Sequence, residues 1–61
     1  MNDLHIQWLD YSGWVTNRVI DNGVNLGGYQ ITQAMKEVAS YFPGKRVRAV
    51  DANGRIVDIF N

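Results

Sequence analysis

The run "RVRAVDANGRIVDIF" at residues 46–60 decides the fold, because it has the form of a complete β-hairpin. Stretches rich in Val and Ile that flank Asp, Asn and Gly are typical of two strands joined by a tight turn. Residues 9–19, "LDYSGWVTNRV", repeat the spacing of an apolar residue, Asp, two residues, Gly, one residue and a β-branched apolar residue. We therefore interpret both Asp-x-x-Gly segments as hairpin turns.

Two registers compete for the second hairpin. A two-residue loop at Asn53 and Gly54 would leave Arg48 opposite an apolar residue. A three-residue loop at 52–54, with Gly54 in the left-handed conformation, matches opposite charges twice and apolar residues three times. Such cross-strand pairs contribute about 0.2–1 kcal/mol each. We predict the second register, which pairs Asp51 with Arg55, Val50 with Ile56, Ala49 with Val57, Arg48 with Asp58 and Val47 with Ile59.

The same rule predicts a three-residue loop at 11–13 in the first hairpin. Its predicted pairs are Asp10 with Trp14, Leu9 with Val15, Trp8 with Thr16, Ile6 with Arg18 and Leu4 with Ile20.

Between the hairpins the apolar period changes. After a Gly- and Asn-rich loop, "YQITQAMKEVASYF" at residues 29–42 carries apolar residues at i, i+3, i+4, i+7 and i+11, which is one face of a helix: Ile31, Ala34, Met35, Val38 and Phe42. Pro43 cannot continue a helix interior. The sequence thus predicts one α+β domain of ββαββ order, two hairpins forming an antiparallel sheet with one helix on one face. Its predicted strands are about 4–10, 14–20, 46–51 and 55–60, and its helix about 29–42.

Composition excludes several classes of protein. The chain has 61 residues, no Cys, one His and a net charge of zero. Disulfides and Cys or His zinc clusters are excluded, and a dedicated nucleic-acid binder usually has a strong positive excess. No apolar run approaches the roughly 20 residues of a membrane span. The N-terminus lacks the basic start and apolar centre of a signal peptide, so we expect a cytoplasmic protein without membrane partners.

No pattern indicates catalysis or a cofactor. His5 has no nucleophile in a suitable context, since Ser12 lies in a predicted turn and Ser40 on the helix. The Asp-x-x-Gly segments lack the ligand spacing of a calcium loop. The glycines at 27–28 lack the Lys of a phosphate loop. We therefore expect no enzyme, no metal and no cofactor.

One helix covers only one side of a four-stranded sheet. The predicted register leaves Val50, Ile56 and Phe60 on the uncovered side, and contiguous exposed apolar area usually marks an interaction site. Trp14, if exposed beside its turn, would be a strong interface residue. The sequence therefore predicts a protein-interaction module that binds through the uncovered sheet face or a sheet edge, and its simplest partner is a second copy, giving a homodimer.

Two alternatives use other residues. A nucleic-acid module would use the basic cluster of Lys45 and Arg46, supported by Arg18 and Lys36. A small-ligand binder would need a pocket at a dimer interface, near Trp14 and the glycines at 27–28.

The run "PGKRVRAVDANGRIVDIF" at 43–60, with "SGWVT" at 12–16 and "AMKEVASYF" at 34–42, resembles a group of very short, uncharacterised proteins of bacteria and their phages or prophages. These end in a similar basic strand, Asp-x-x-Gly-Arg turn and apolar strand. The resemblance covers most of the chain and implies a ββαββ domain encoded on a mobile element, and with it a regulator or inhibitor of a host protein. Its motifs are structural, so it carries over no catalytic or ligand residue.

Overall fold

The computed structural model describes residues 2–60, which form four strands and one α-helix in the predicted ββαββ order. The strands form a single sheet in the order β2-β1-β3-β4, with every neighbouring pair antiparallel. The predicted α+β fold is confirmed. Its elements are β1 (Leu4–Asp10), β2 (Gly13–Ile20), a 3-10 turn (Gly23–Asn25), α1 (Gly28–Tyr41), β3 (Val47–Val50) and β4 (Ile56–Phe60).

The core lies between α1 and one face of the sheet, called the helix-covered face. The helix buries the apolar stripe that its sequence period predicts, with Ile31, Met35 and Val38 at its centre. The two central strands supply the opposing side chains, because residues that alternate along a strand point to the same face. These buried strand residues are Leu4, Ile6, Val47 and Ala49.

An aromatic stack closes the end of this core. The rings of Trp8 and Phe42 lie parallel, with centroids 4.1 Å apart and 8° between their planes. Phe42 ends the helix, and Pro43 follows it. Trp8 is thus a core residue of the helix-covered face.

The second hairpin departs from the predicted register halfway along its length. Near the turn the prediction holds, because Val50 pairs with Ile56 and the Asp51 N–H donates to the Arg55 carbonyl at 2.9 Å. Gly54 has the expected left-handed backbone, with φ 82°. Beyond Val50 the register shifts and Val57 is left without a partner, which is a β-bulge. The remaining pairs are Ala49 with Asp58, Arg48 with Ile59 and Val47 with Phe60.

This bulge overturns the predicted face of Phe60 and three predicted pairs, which were Ala49 with Val57, Arg48 with Asp58 and Val47 with Ile59. A one-residue shift moves every later side chain to the other face of the sheet. Phe60 therefore packs against the helix-covered core, not on the uncovered side as predicted. The predicted pair of Arg48 with Asp58 is wrong as well, because Arg48 lies opposite Ile59 and Asp58 opposite Ala49, on opposite faces.

The first hairpin contains a bulge of its own. Its open end follows the prediction, with Leu4 opposite Ile20 and Ile6 opposite Arg18. Between Ile6 and Gln7 the register shifts, and Asn17 is passed over. The predicted three-residue loop is therefore wrong, since the turn has only two residues between the paired Asp10 and Gly13. The remaining pairs are Gln7 with Thr16, Trp8 with Val15 and Leu9 with Trp14.

The connection from β2 to the helix depends on one glycine. Gly23 is buried, and a Cβ built on it would lie 2.6 Å from the Leu4 Cβ and 2.9 Å from the Ile20 Cβ. The next residue anchors the loop, because the Val24 N–H donates to the Asn2 carbonyl at 3.0 Å. The loop therefore packs so closely against Leu4 and Ile20 that it needs a glycine at position 23, whereas a Cβ on Gly28 would meet nothing within 4 Å.

We predict that Gly23→Ala destabilises the fold by about 1–3 kcal/mol, the usual cost of forcing extra volume into a packed site. Equilibrium urea denaturation measures this free energy of unfolding. Gly28→Ala is the matched control and should cost nothing, since Ala favours the helix that begins there. Equal losses in the two variants would contradict the close packing at Gly23.

The bulge in β4 leads to a second prediction, about the stability lost when Phe60 or Ile59 is truncated. Phe60→Ala should cost about 2 kcal/mol, less than the ~3–5 kcal/mol of a fully buried Phe because Phe60 is half-buried. Ile59→Ala, on the other face and 45% exposed, should cost less than about 1 kcal/mol. Without the bulge Ile59 would face the helix, so the reverse order of the two losses in urea denaturation would contradict the observed register.

Candidate functional site

The sheet face opposite the helix, called the open face, has no covering element within residues 2–60. Because side chains alternate between the two faces along a strand, the observed registers place ten residues on the open face. No Asp or Glu stands among these ten positions. They are His5, Gln7, Leu9, Trp14, Thr16, Val19, Arg48, Val50, Ile56 and Ile59.

A side-chain bridge crosses the centre of the open face and links three strands. The Arg48 Nε on β3 donates to the Gln7 Oε1 on β1 at 2.9 Å. The Gln7 Nε2 then donates to the Thr16 Oγ1 on β2 at 3.0 Å. The register permits this chain because Gln7 lies opposite both of its partners. Gln7 is thereby held from both ends of its amide.

Trp14 completes the bridge. The Arg48 guanidinium carbon lies 4.1 Å from the centroid of the Trp14 ring, which is a cation–π contact. The contact depends on the bulge in β2, because that shift brings Trp14 opposite Leu9 and onto the open face. One surface of the ring is thus already covered by an arginine of the same chain.

Aliphatic side chains surround the bridge. Val19 is 52% exposed, Ile56 56% and Ile59 45%. Val19 lies on the edge strand β2, and the two isoleucines on the edge strand β4. The exposed apolar surface therefore lies on both sides of the charged bridge.

The four predicted protein-interaction residues do not share this face equally. Ile56 lies on it and is exposed, and Trp14 lies on it half-buried beneath Arg48. Val50 also lies on it but is only 3% exposed, so its predicted exposure is wrong. It is flanked by His5 and Ile56, its partners on the two neighbouring strands. Phe60 lies on the helix-covered face.

The four basic residues of the nucleic-acid alternative lie on three different parts of the fold. Lys45 and Arg46 are exposed and precede β3, and the Arg46 carbonyl accepts the Leu9 N–H at 2.8 Å. Arg18 instead forms an ion pair with Glu37 of the helix at 2.6 Å. Lys36 is exposed on α1. The residues that a nucleic-acid module would use are therefore spread over different elements.

The Asp-x-x-Gly segments act as turns. The Asp51 Oδ1 accepts the backbone N–H groups of Asn53 and Arg55, both at 2.9 Å. The Asp10 carboxylate accepts the Tyr11 N–H at 2.9 Å and the Ser12 hydroxyl at 3.3 Å. Within residues 2–60, no three His, Asp or Glu side chains are grouped as they would be to hold a metal ion.

The residues considered for catalysis are on separate elements. His5 lies on the open face near the start of the central strand β1, opposite Val19 and Val50. Ser12 stands at the tip of the first hairpin, and the Ser40 hydroxyl donates to the Glu37 carbonyl within the helix. At the start of that helix, the Gln30 Oε1 accepts the Gly27 N–H at 3.4 Å. This arrangement places neither Ser12 nor Ser40 beside His5.

Comparison with known proteins gives no relative, since no family model, no curated protein and no solved structure matches this chain. Within residues 2–60, no helix has the length and apolar content needed to cross a membrane.

Sequence reasoning missed the central role of Arg48 and Gln7. It assigned Arg48 to Asp58 within one hairpin, whereas the observed partner lies on the other hairpin, 41 residues away. The available signal was the alternation of Gln7 and Arg48 with buried apolar residues on their strands. That signal places both side chains away from the core, but it does not show that their strands are neighbours.

The turn interpretation of Asp51 predicts the effect of two substitutions. Asp51→Ala removes the acceptor of two backbone N–H groups and should destabilise the fold by about 1–2 kcal/mol in urea denaturation. Asp51→Asn keeps an oxygen at the same place and should recover most of that loss. Equal losses for Asn and Ala would show that the negative charge, and not the turn, is what Asp51 provides.

Proposed function

We propose that this chain is a small, non-enzymatic protein-interaction module that binds a partner protein through its open face. One observation carries the proposal. A sheet face without any cover among residues 2–60 exposes aliphatic side chains on both edge strands, around the Arg48–Trp14 bridge. Exposed apolar area of this kind, with an aromatic and an arginine at its centre, has the composition of protein interfaces.

The arrangement of the face also supports this proposal. Binding anchors are typically Trp, Tyr and Arg near the centre of an interface, surrounded by residues that exclude water. Arg48 lies on the central strand β3 and its guanidinium stacks on Trp14 of the edge strand β2. Val19, Ile56 and Ile59 are exposed on the same face. A partner lying across the face would cover the Trp–Arg pair and the exposed aliphatic side chains together.

The nucleic-acid alternative has less support from the geometry. Of the aromatic residues considered for base stacking, Trp8 is stacked on Phe42 in the core. Trp14 has one ring surface covered by Arg48. The basic residues Arg18 and Lys36 are on β2 and α1, whereas Lys45 and Arg46 precede β3, and the net charge of the chain is zero.

A small-ligand site also has little support. No enclosed pocket is present within residues 2–60. Trp14 stands at the start of β2, whereas the loop that leads to the glycines at 27–28 leaves from the end of that strand. These two parts of the suggested pocket are therefore at opposite ends of β2.

The resemblance to short phage and bacterial proteins supports a narrower form of the proposal, in which the partner is a host protein that the module regulates or inhibits. A cytoplasmic location belongs to the same proposal. Self-association into a homodimer stays a prediction, and the experiment below distinguishes it by mass.

Site-specific photo-crosslinking tests the open face as the binding surface. A benzophenone amino acid replaces Ile59 on the open face or, as control, Tyr29, which is 77% exposed on α1. The full chain is expressed in its native cells and irradiated. We expect a discrete adduct from position 59 and none of the same mass from position 29. An adduct of twice the 6.9 kDa chain mass would identify a second copy.

A second substitution makes the test specific. Ile56→Asp places a charge on the exposed apolar surface and should abolish the adduct at position 59. Tyr41→Asp, at an exposed site on the helix, should leave it unchanged. The absence of an adduct at position 59 in the folded protein, or identical adducts at positions 59 and 29, would contradict the proposal.

A further inference from the structure

We infer that Arg48 is a preorganised receptor for a carboxylate, and that the partner of the open face is an apolar segment of a different protein carrying an Asp or Glu. The inference rests on the proposed function and specifies the chemistry of the partner. It depends on how Arg48 is held, on the donors it leaves unused, and on the charge and apolar surface around it.

The guanidinium of Arg48 is fixed in place before any partner binds. Its Nε is held by the Gln7 Oε1 at 2.9 Å, and its plane is supported by the Trp14 ring at 4.1 Å. Gln7 is itself held by the Thr16 hydroxyl. An arginine restrained in this way loses little conformational freedom on binding, which is how preorganisation increases affinity.

Most of the donors of Arg48 have no acceptor among residues 2–60. A guanidinium has five N–H donors, and the bond to Gln7 uses the one on Nε. The two terminal nitrogens have no hydrogen-bond acceptor and no ion-pair partner among residues 2–60. Terminal guanidinium nitrogens bind a carboxylate through two parallel hydrogen bonds, one to each oxygen. The unused donors therefore fit this group.

Five of the six acidic residues have another partner or lie on the other face of the sheet, and the sixth, Asp21, is an exposed turn residue beyond the end of β2. Asp10 and Asp51 hold their turns, Glu37 pairs with Arg18, and Asp58 lies on the helix-covered face. The Asp3 carboxylate accepts the Asn22 N–H at 3.2 Å. The open face thus has positive charge and no acidic residue at its strand positions. A second copy of the same face would bring the same charge, whereas an acidic partner complements it.

The surroundings of Arg48 favour a peptide over a nucleic acid. Ile59 lies directly opposite Arg48 in the β3–β4 register, and Ile56 and Val19 are also exposed on this face. A phosphate backbone would leave these aliphatic groups uncovered. A carboxylate flanked by Leu, Ile or Val side chains satisfies the arginine and buries the apolar surface together.

NMR titration of the full chain with short probes tests this chemistry, because it detects the weak binding expected of tripeptides. The probes are acetyl-Leu-Glu-Leu-amide and its matched Gln analogue. We expect the Glu peptide to shift the Arg48 Nε–H and Trp14 indole N–H signals saturably. The Gln peptide should bind at least about tenfold more weakly, since it lacks the charge-assisted pair.

Two arginine variants separate the receptor from general charge. Arg48→Lys keeps the charge but loses the planar pair of donors, and should reduce Glu-peptide affinity to that of the Gln peptide. Arg55→Lys makes the same change at an exposed turn residue and should have no effect. Amide spectra of both variants verify that they fold.

Several outcomes would overturn the inference. They are equal binding of the two peptides, no shift by either, or stronger binding by hexathymidylate, which would indicate a nucleic acid. Changes in the open-face signals on dilution would indicate a second copy instead. A position-59 crosslink to another protein that persists in Arg48→Lys would overturn the inference while the proposed function stands.

Discussion

The pairing of β1 with β3 is the contact on which the rest of this small protein depends. It joins residues 39 to 45 positions apart in the sequence, and the Leu9 N–H extends it by bonding to the Arg46 carbonyl. Each hairpin alone would be marginally stable in water. Their junction creates a four-stranded sheet wide enough for α1 to cover, and on the opposite face it brings Gln7 beside Arg48. The pairing of β1 with β3 therefore creates both the core and the open face.

The order of the elements was predictable because it depends on local signals. The apolar period of residues 29–42 distinguishes the helix from the strands, and the Gly-containing turns mark the hairpins. The registers were predicted only near Gly54 and at the Leu4 end of the first hairpin. Pairing charges across a hairpin contributes about 0.2–1 kcal/mol, whereas burying a Phe side chain contributes about 1.5–3 kcal/mol. Phe60 packs in the core at the expense of the pair between Arg48 and Asp58.

The difference between local signals and contacts that join the two hairpins also explains which parts of the candidate site could be predicted. An uncovered apolar face follows from a four-stranded sheet with a helix on one side, and Ile56 follows from the register that was predicted correctly beside Gly54. Trp14 lies on this face only because of the bulge in β2, which the predicted register of the first hairpin did not contain. Arg48 at its centre does not follow, because its partners Gln7 and Trp14 belong to the other hairpin. The need for Gly23 is similar, since it arises from Leu4 and Ile20, which reach it only in the folded chain.

The two bulges have a consequence for how this sheet meets other chains. Both lie in the edge strands, with Asn17 in β2 and Val57 in β4. A bulge interrupts the regular row of backbone donors and acceptors that another strand needs for pairing, and natural sheets use such interruptions to prevent the addition of foreign strands. Neither edge therefore offers a long, regular template. The two bulges thus guard the sheet against uncontrolled growth at its sides.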